Sequence, residues 1–363
     1  MIEPANQRIL DGTIRHAVAL EQLKTAEVRR LVRFLNEKVE PDLVTRLVRH
    51  LGRGTLTEKR LQELREAVRG VTTAGYARLG EHLTERLEKI GLAEAQWNTA
   101  MLKRAIPAQI AVDLRAPHVG ILKASLAKSR VQGELVQDLV KLSGQDTARR
   151  VMGQIHIGLA QGEGIDRIVR RIRGTRARGY ADGVLNTSRR NIEAIVRTSI
   201  SDIVNRAGEA VYEANRDVVK GVQLVATLDT RTTDLCIHYD GQVFAVGQGP
   251  RPPFHYGCRT RTVPVVRSWR ALGIRAGELE PGTRASMDGQ VSEKITYNAW
   301  LKKQPAAVQD EVLGPTRGRL YRQGKVKIDR FSVDGRRLTL EDLRKREGLS
   351  HKDIQAARRK ARK

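Results

Sequence analysis

The chain has 363 residues, with 66 Lys and Arg against 41 Asp and Glu, a formal charge of +25; 40% of residues are apolar and 4% aromatic. The apolar share supports packed cores in two or three domains, whereas the low aromatic share argues against base stacking as the main grip on nucleic acid. No apolar run approaches the roughly 18–20 residues of a transmembrane helix, and MIEPANQRILDG lacks the regions of a signal peptide. No membrane partner is expected, and the protein is expected to stay in the compartment where it is made. So large a positive charge favours a polyanion, double-stranded DNA first and acidic protein surfaces second, with an attraction that salt weakens.

The first 145 residues read as nearly all helix. Leu10, Ile14 and Val18, then Val28, Leu31, Leu35 and Val39, recur at helical spacing over 6–40, before Pro41 interrupts. Thr55 with Glu58 supplies a capping pattern for the next helix, which runs from 56 to 105. Pro107 and Pro117 bracket a connector, and helix is expected again from Ile121 to Leu142. Residues 146–173 form a helical hairpin broken at Gly162-Glu163-Gly164, with His156 read as a packed helix residue. The stretch GTRARGYADG (174–183) reads as an arginine-rich loop, its arginines either solvated or on phosphate. A long helix follows over 187–215, with Arg197 expected to pair with Asp229 or Asp234.

At 221–266 the period changes. Val222, Leu224 and Ala226 alternate with polar or opposite-face residues, Asp240-Gly241 signals a turn, and Val243–Val246 and Thr260–Val266 read as further strands. This stretch holds both cysteines of the chain. Cys236-x-His238 and His255-x-x-Cys258 place two thiols and two imidazoles at the mouth of one hairpin, a donor set suited to tetrahedral zinc. If the first pair is extended, Cys236 and His238 point to one side. Structural Zn²⁺ held by Cys236, His238, His255 and Cys258 is one state; reduced structural cysteines and a disulfide are the others. Asp229, Asp234 and Asp240 lie close by and keep a metal-dependent nuclease in view. Arg231, Arg251, Arg259 and Arg261 are open to phosphate, to an acidic protein face, or to those aspartates. No phosphate-binding P-loop or G-x-S-x-G elbow is present, so no catalytic residues are assigned.

Beyond the motif, 268–292 reads as an extended loop or arm, with short helices at Glu293–Lys303, Ala306–Leu313 and from Thr339. The chain ends in RRKARK (358–363), a basic tail suited to nucleic acid or to solubility.

The string LDTRTTDLC (228–236), DGQVF (240–244) and PPFHYGCR (252–259) resembles the central motif of the phage Mu F-like minor head (head morphogenesis) proteins. The likeness covers roughly 146–266, including Arg197-Thr198 in the preceding helix; the tail NAWLKKQPAAVQDEVLGPTRGRLYRQGKV is also similar to members of the group. Many members read Cys-Arg-Cys where this chain has Cys258-Arg259-Thr260. The resemblance implies a non-enzymatic minor capsid protein, made in the host cytoplasm, built into the virion head near the portal, and touching portal or major capsid protein and packaged DNA. The rival readings are a metal-dependent DNA-processing nuclease on the same module and a free basic DNA-binding protein. The expected fold is mainly α with a small α+β module: a helical region 1–145, a head-morphogenesis domain 146–267 with its Cys/His-braced hairpin, and 268–363 as arm, short helices and helical basic tail.

Overall fold

Apolar residues at helical spacing dominate the chain as far as Ala214, and the computed structural model folds them into a helical body. The structure describes residues 5–52, 57–106, 114–127, 129–131, 133–267, 283–292, 295–333 and 336–359. Helices α1 (Ala5–Phe34) and α2 (Glu40–Leu51) form one rod joined by a π-turn over Leu35–Val39. Pro41 does not break the rod. It sits in the first turn of α2, where its missing N–H matters least, and the wider turn before it absorbs the mismatch.

Helix α3 (Glu58–Ala105) runs for 48 residues. Its cap is Thr57, whose hydroxyl accepts from Arg60 N at 3.4 Å; Thr55 lies outside the described residues, as do 107–113 of the Pro-bracketed connector. The continuous helix expected from Ile121 to Leu142 is interrupted. Helix α4 (Val119–Ala127) gives way to a hairpin of β1 (Arg130–Val131) and β2 (Glu134–Leu135), turned by Gly133 at φ +87°, a backbone state no helix can contain. Then come α5 (Val136–Ala160), α6 (Ile165–Arg173) and α7 (Val184–Ala214), with Gly162 at φ +66° closing the expected break.

Helices α3, α5 and α7 pack together at the centre, with α1 and α2 against them. Leu47, Leu64, Leu79, Leu102, Ile155 and Val196 are completely buried there. A Cβ on Gly91 would stand 2.5 Å from Leu126 Cδ1 and 3.0 Å from Ile203 Cγ2, so only glycine lets α3 approach α4 and α7 this closely. Val28, Leu31, Leu35 and Val39 are buried as the spacing predicts, but the first part of the stripe departs from the sequence reading. Val18 is 57% exposed, the side chains of Leu10 and Ile14 lie outside the described part, and Ile9, Leu20, Val28 and Leu31 form the buried face.

After α7, strand β3 (Val219–Val225) is followed by a short helix α8 (Asp234–Tyr239), then β4 (Val243–Phe244) and β5 (Arg261–Val266). They make a three-stranded antiparallel sheet in the order β4-β3-β5, with Val222 opposite Phe244 on one side and Pro264 on the other. Val219, Val222, Val263 and Val266 join the helical core, so the sheet extends that core.

The stretch read as an arm contains a hairpin, β6 (Thr283–Ser286) with β7 (Gly289–Ser292); residues 268–282 lie outside the described part. Helix α9 (Tyr297–Lys303) starts later than expected because Thr296 caps it, accepting from Ala299 N at 3.3 Å. Then come α10 (Ala306–Leu313), α11 (Pro315–Arg322), a hairpin of β8 (Ser332–Val333) with β9 (Arg336–Arg337), α12 (Leu340–Glu347) and α13 (His351–Arg359). They enclose a second core of Tyr297, Leu301, Leu320, Phe331 and Leu343, which also buries Leu228 and Ile237 from the motif stretch. The last residues of the basic tail, 360–363, lie outside the described part. The fold is mainly α with a small α+β module.

Leu79→Ala should lower stability by about 2–5 kcal/mol, the range for emptying a closed leucine site. Val18→Ala should change it by less than about 0.5 kcal/mol. Urea denaturation followed by circular dichroism compares the two directly.

Candidate metal centre on a helix-braced loop

The site begins with polar residues inside a buried helix face. Thr198, Ser201 and Asn205 follow one another along α7 and are almost fully buried. Polar side chains in such a place cost free energy unless they are hydrogen-bonded, and all three bond the loop that carries Cys258. Thr198 Oγ1 donates to Ala194 O at 2.6 Å and accepts from Gly257 N at 2.9 Å. Ser201 Oγ donates to Cys258 O at 3.0 Å. Asn205 Oδ1 accepts from Thr262 N at 3.1 Å while its Nδ2 donates to Ser201 O at 2.9 Å. The helix thereby fixes the backbone on both sides of the cysteine.

The other side of the loop is held by charge. Arg259 grips Asp229 with both nitrogens, at 2.5 and 2.7 Å, and Asp229 Oδ1 also accepts from Arg231 N and Thr232 Oγ1, each at 3.1 Å. Burial pushes the Asp229 carboxyl up, but the Arg259 fork with the hydrogen bonds from Thr232 and Arg231 N together hold the group below the usual carboxylate range. Asp234 is gripped by Arg337 at 2.6 and 2.8 Å. Asp240 accepts from Ala226 N at 2.9 Å and Tyr297 N at 2.8 Å, tying the module to the second core. Arg251 pairs with Glu209 at 2.8 Å and Arg261 with Glu94 at 3.0 Å. Contrary to the expectation from sequence, Arg197 reaches neither Asp229 nor Asp234. Glu193, one turn back on its own helix, takes it at 2.9 Å, and both aspartates already hold other arginines.

Within this frame Cys236 of α8, His255 and Cys258 come together. Their ligand atoms all lie within 4.8 Å of one another, and both sulfurs are buried free thiols. Cys236 Sγ is 3.2 Å from His255 Nε2 and 3.7 Å from Cys258 Sγ. His255 Nδ1 lies 2.9 Å from Tyr256 O, which can only accept. Nδ1 therefore carries a proton, and in the neutral ring Nε2 is left with its lone pair toward the sulfurs, ready for a metal. His238 is not in the group. Residues 234–239 are helical, not extended, so it projects about 200° around from Cys236, and its ring packs edge-on to Tyr239 at 4.9 Å. His156 is exposed on α5 and joins no such group among the described residues, contrary to its reading as a packed residue.

Two thiolates on a tetrahedral zinc, each about 2.3 Å from the metal, stand about 3.8 Å apart. The observed sulfur separation matches that spacing and far exceeds the roughly 2.05 Å of a disulfide. The donors fit a soft or borderline cation with Cys236, His255 and Cys258 as ligands. Thr260 brings a hydroxyl beside Cys236 in place of a fourth nitrogen or sulfur. Without metal, the Cys236 thiol donates to Cys258, which favours the Cys258 thiolate and keeps Cys236 protonated. That thiolate raises the His255 pKa above the ordinary histidine value. The imidazolium thus stabilises the fold below the ordinary histidine range, and the contribution is lost as pH rises through the folded value. A metal takes the place of these protons.

Fold and site together define a strongly basic, mainly helical protein with a Cys/His-braced three-stranded module on its central helix. Residues 149–263, about a third of the chain, match the family described as Phage Mu protein F like protein, so this span is similar to that family. The match contains α6, α7, β3, α8, β4, the first half of β5 and all three clustered ligands. No curated protein and no solved structure matches the chain.

Purified protein should carry about one zinc per chain by elemental mass spectrometry, the stoichiometry of a single cluster. His255→Ala and Cys236→Ser should lose it and His238→Ala should keep it. Equal loss in His238→Ala would place the ligands wrongly.

Proposed function

We propose that this protein is a non-enzymatic minor capsid protein, incorporated into the phage head during assembly beside the portal and in contact with packaged double-stranded DNA. The match of residues 149–263 to the Mu F-like family carries the reading. Three further observations support it. The charge of +25 suits a place between acidic protein surfaces and DNA. Both cysteines of the cluster are buried and its loop is braced, as in a structural metal site, and zinc there would staple α8 to the loop before β5. Asp229, Asp234 and Asp240, the carboxylates a metal-dependent nuclease would need open, are engaged by Arg259, by Arg337, and by the backbone of Ala226 and Tyr297.

The protein then passes from the host cytoplasm into the virion head, with the portal or major capsid protein as its protein partner. Among the described residues no helix is long and apolar enough to cross a membrane.

Mass spectrometry of purified proheads and mature particles should find the protein in both at low copy number. Its absence from both would contradict the reading. Incubation with plasmid DNA and Mg²⁺, Mn²⁺ or Zn²⁺ should produce no cleavage; cleavage that disappears in Asp229→Ala or Asp234→Ala would establish the nuclease instead.

A further inference from the structure

Residues 163–183, α6 and the loop after it, hold six arginines against three acids. Glu163 is taken by Arg171 at 2.5 and 2.7 Å, and Asp182 accepts from Thr175 N at 2.7 Å and Thr175 Oγ1 at 2.9 Å. Arg167, Arg170, Arg173, Arg176 and Arg178 remain exposed and make no close ion pair among the described residues; Arg167 and Arg178 feel Glu163 and Asp182 only at longer range. On α6 the first three lie on the face opposite buried Ile168 and Ile172, given about 100° per residue, with Asp166 the one acid beside them.

The loop that presents Arg176 and Arg178 is built. A Cβ on Gly183 would stand 2.3 Å from the Arg173 carbonyl carbon and from Gly174 N, so the two ends of the loop meet at glycine. Tyr180 adopts φ +62°, the one non-glycine residue in that region among the described residues. Its N–H donates to Thr175 O at 2.9 Å, its carbonyl accepts from Arg189 at 3.3 Å, and the Arg173 guanidinium lies 4.9 Å from its ring centre. Arg189 is itself anchored on Glu40, at 2.7 Å to each carboxylate oxygen. A left-handed tyrosine costs free energy and persists only where its surroundings over-determine it. Here that arrangement holds Arg176 and Arg178 on a single outward 3₁₀ turn.

We propose that α6 and the 174–183 loop form the surface that meets the phosphate backbone of duplex DNA. The inference rests on the reading of a DNA-contacting head protein and adds where on the chain the DNA is met. The segment exposes no large apolar side chain, whereas a protein interface needs an apolar centre. Guanidinium forks along about 9 Å of α6, at roughly 1.5 Å rise per residue, and on the turn beyond it suit successive phosphates, which carry no sequence information and need no base recognition.

The test uses the full chain and a fluorescent DNA duplex of arbitrary sequence, with anisotropy read across a salt series. The variant Arg167→Gln/Arg170→Gln/Arg176→Gln/Arg178→Gln keeps Arg173 on its tyrosine and should retain the wild-type circular dichroism. Its affinity should fall at least about tenfold, and the slope of log K against log salt should shrink by about 3–4, close to one counterion for each phosphate that the variant no longer neutralises. Arg29→Gln/Arg30→Gln/Arg33→Gln on α1 should keep the wild-type slope. If the wild type binds and the four-site variant binds equally well with the same slope, this surface is wrong and DNA is held elsewhere. If the wild type does not bind DNA even at low salt, both the surface and the DNA reading fail. Retention on immobilised polyglutamate, abolished in the variant while DNA is ignored, would reassign the surface to an acidic protein.

Discussion

The buried polar row Thr198, Ser201 and Asn205 on α7 is the constraint on which the site depends. An apolar helix face would have packed equally well against the body but could not fix the loop from Gly257 to Thr262. Each side chain on this row takes a backbone group of that loop. Removing one leaves a buried donor or acceptor unpaired, a penalty of about 1–3 kcal/mol, more than the net gain of an ordinary hydrogen bond. The row therefore fixes one loop path, and that path sets Cys258 within reach of Cys236.

Arginine fixes the opposite side. Arg259 on Asp229, Arg337 on Asp234 and Arg251 on Glu209 are short, two-pronged pairs between elements distant in sequence. Such forks define geometry as well as attraction. They also sort the positive charge of the chain into two populations. Arginines of the sheet module are largely spent on carboxylates inside the fold, while those of α6 and the 174–183 loop, Arg171 on Glu163 excepted, face outward. A net charge alone cannot separate the two.

Much of the frame is legible in the sequence because it follows from period and punctuation. Long helices announce themselves by apolar spacing, Gly162 closes one of them, Thr339 starts another, and the alternation at 222–226 marks a strand. Short elements are not legible in this way. Asp234–Tyr239 is too brief for a period of 3.6 to show against one of 2, and that ambiguity is what carried His238 into the expected ligand set. The hairpin at 283–292 does have a signal, Asp288-Gly289 between short runs, which the glycine-rich setting obscures. Ion-pair partners are illegible for a different reason. Arg197 and Arg259 are similar in sequence terms, and only the tertiary path of the loop decides which of them meets Asp229.

The central claim is that α7 holds the cysteine-bearing loop through buried backbone hydrogen bonds. Hydrogen exchange of the Gly257 and Thr262 amides in the intact protein measures this most directly. If Thr198 and Asn205 accept from them, both amides exchange as slowly as the interior of α7. Exchange of both amides at the rate of an exposed amide, with β3 and the rest of β5 still protected, would show that the brace does not exist.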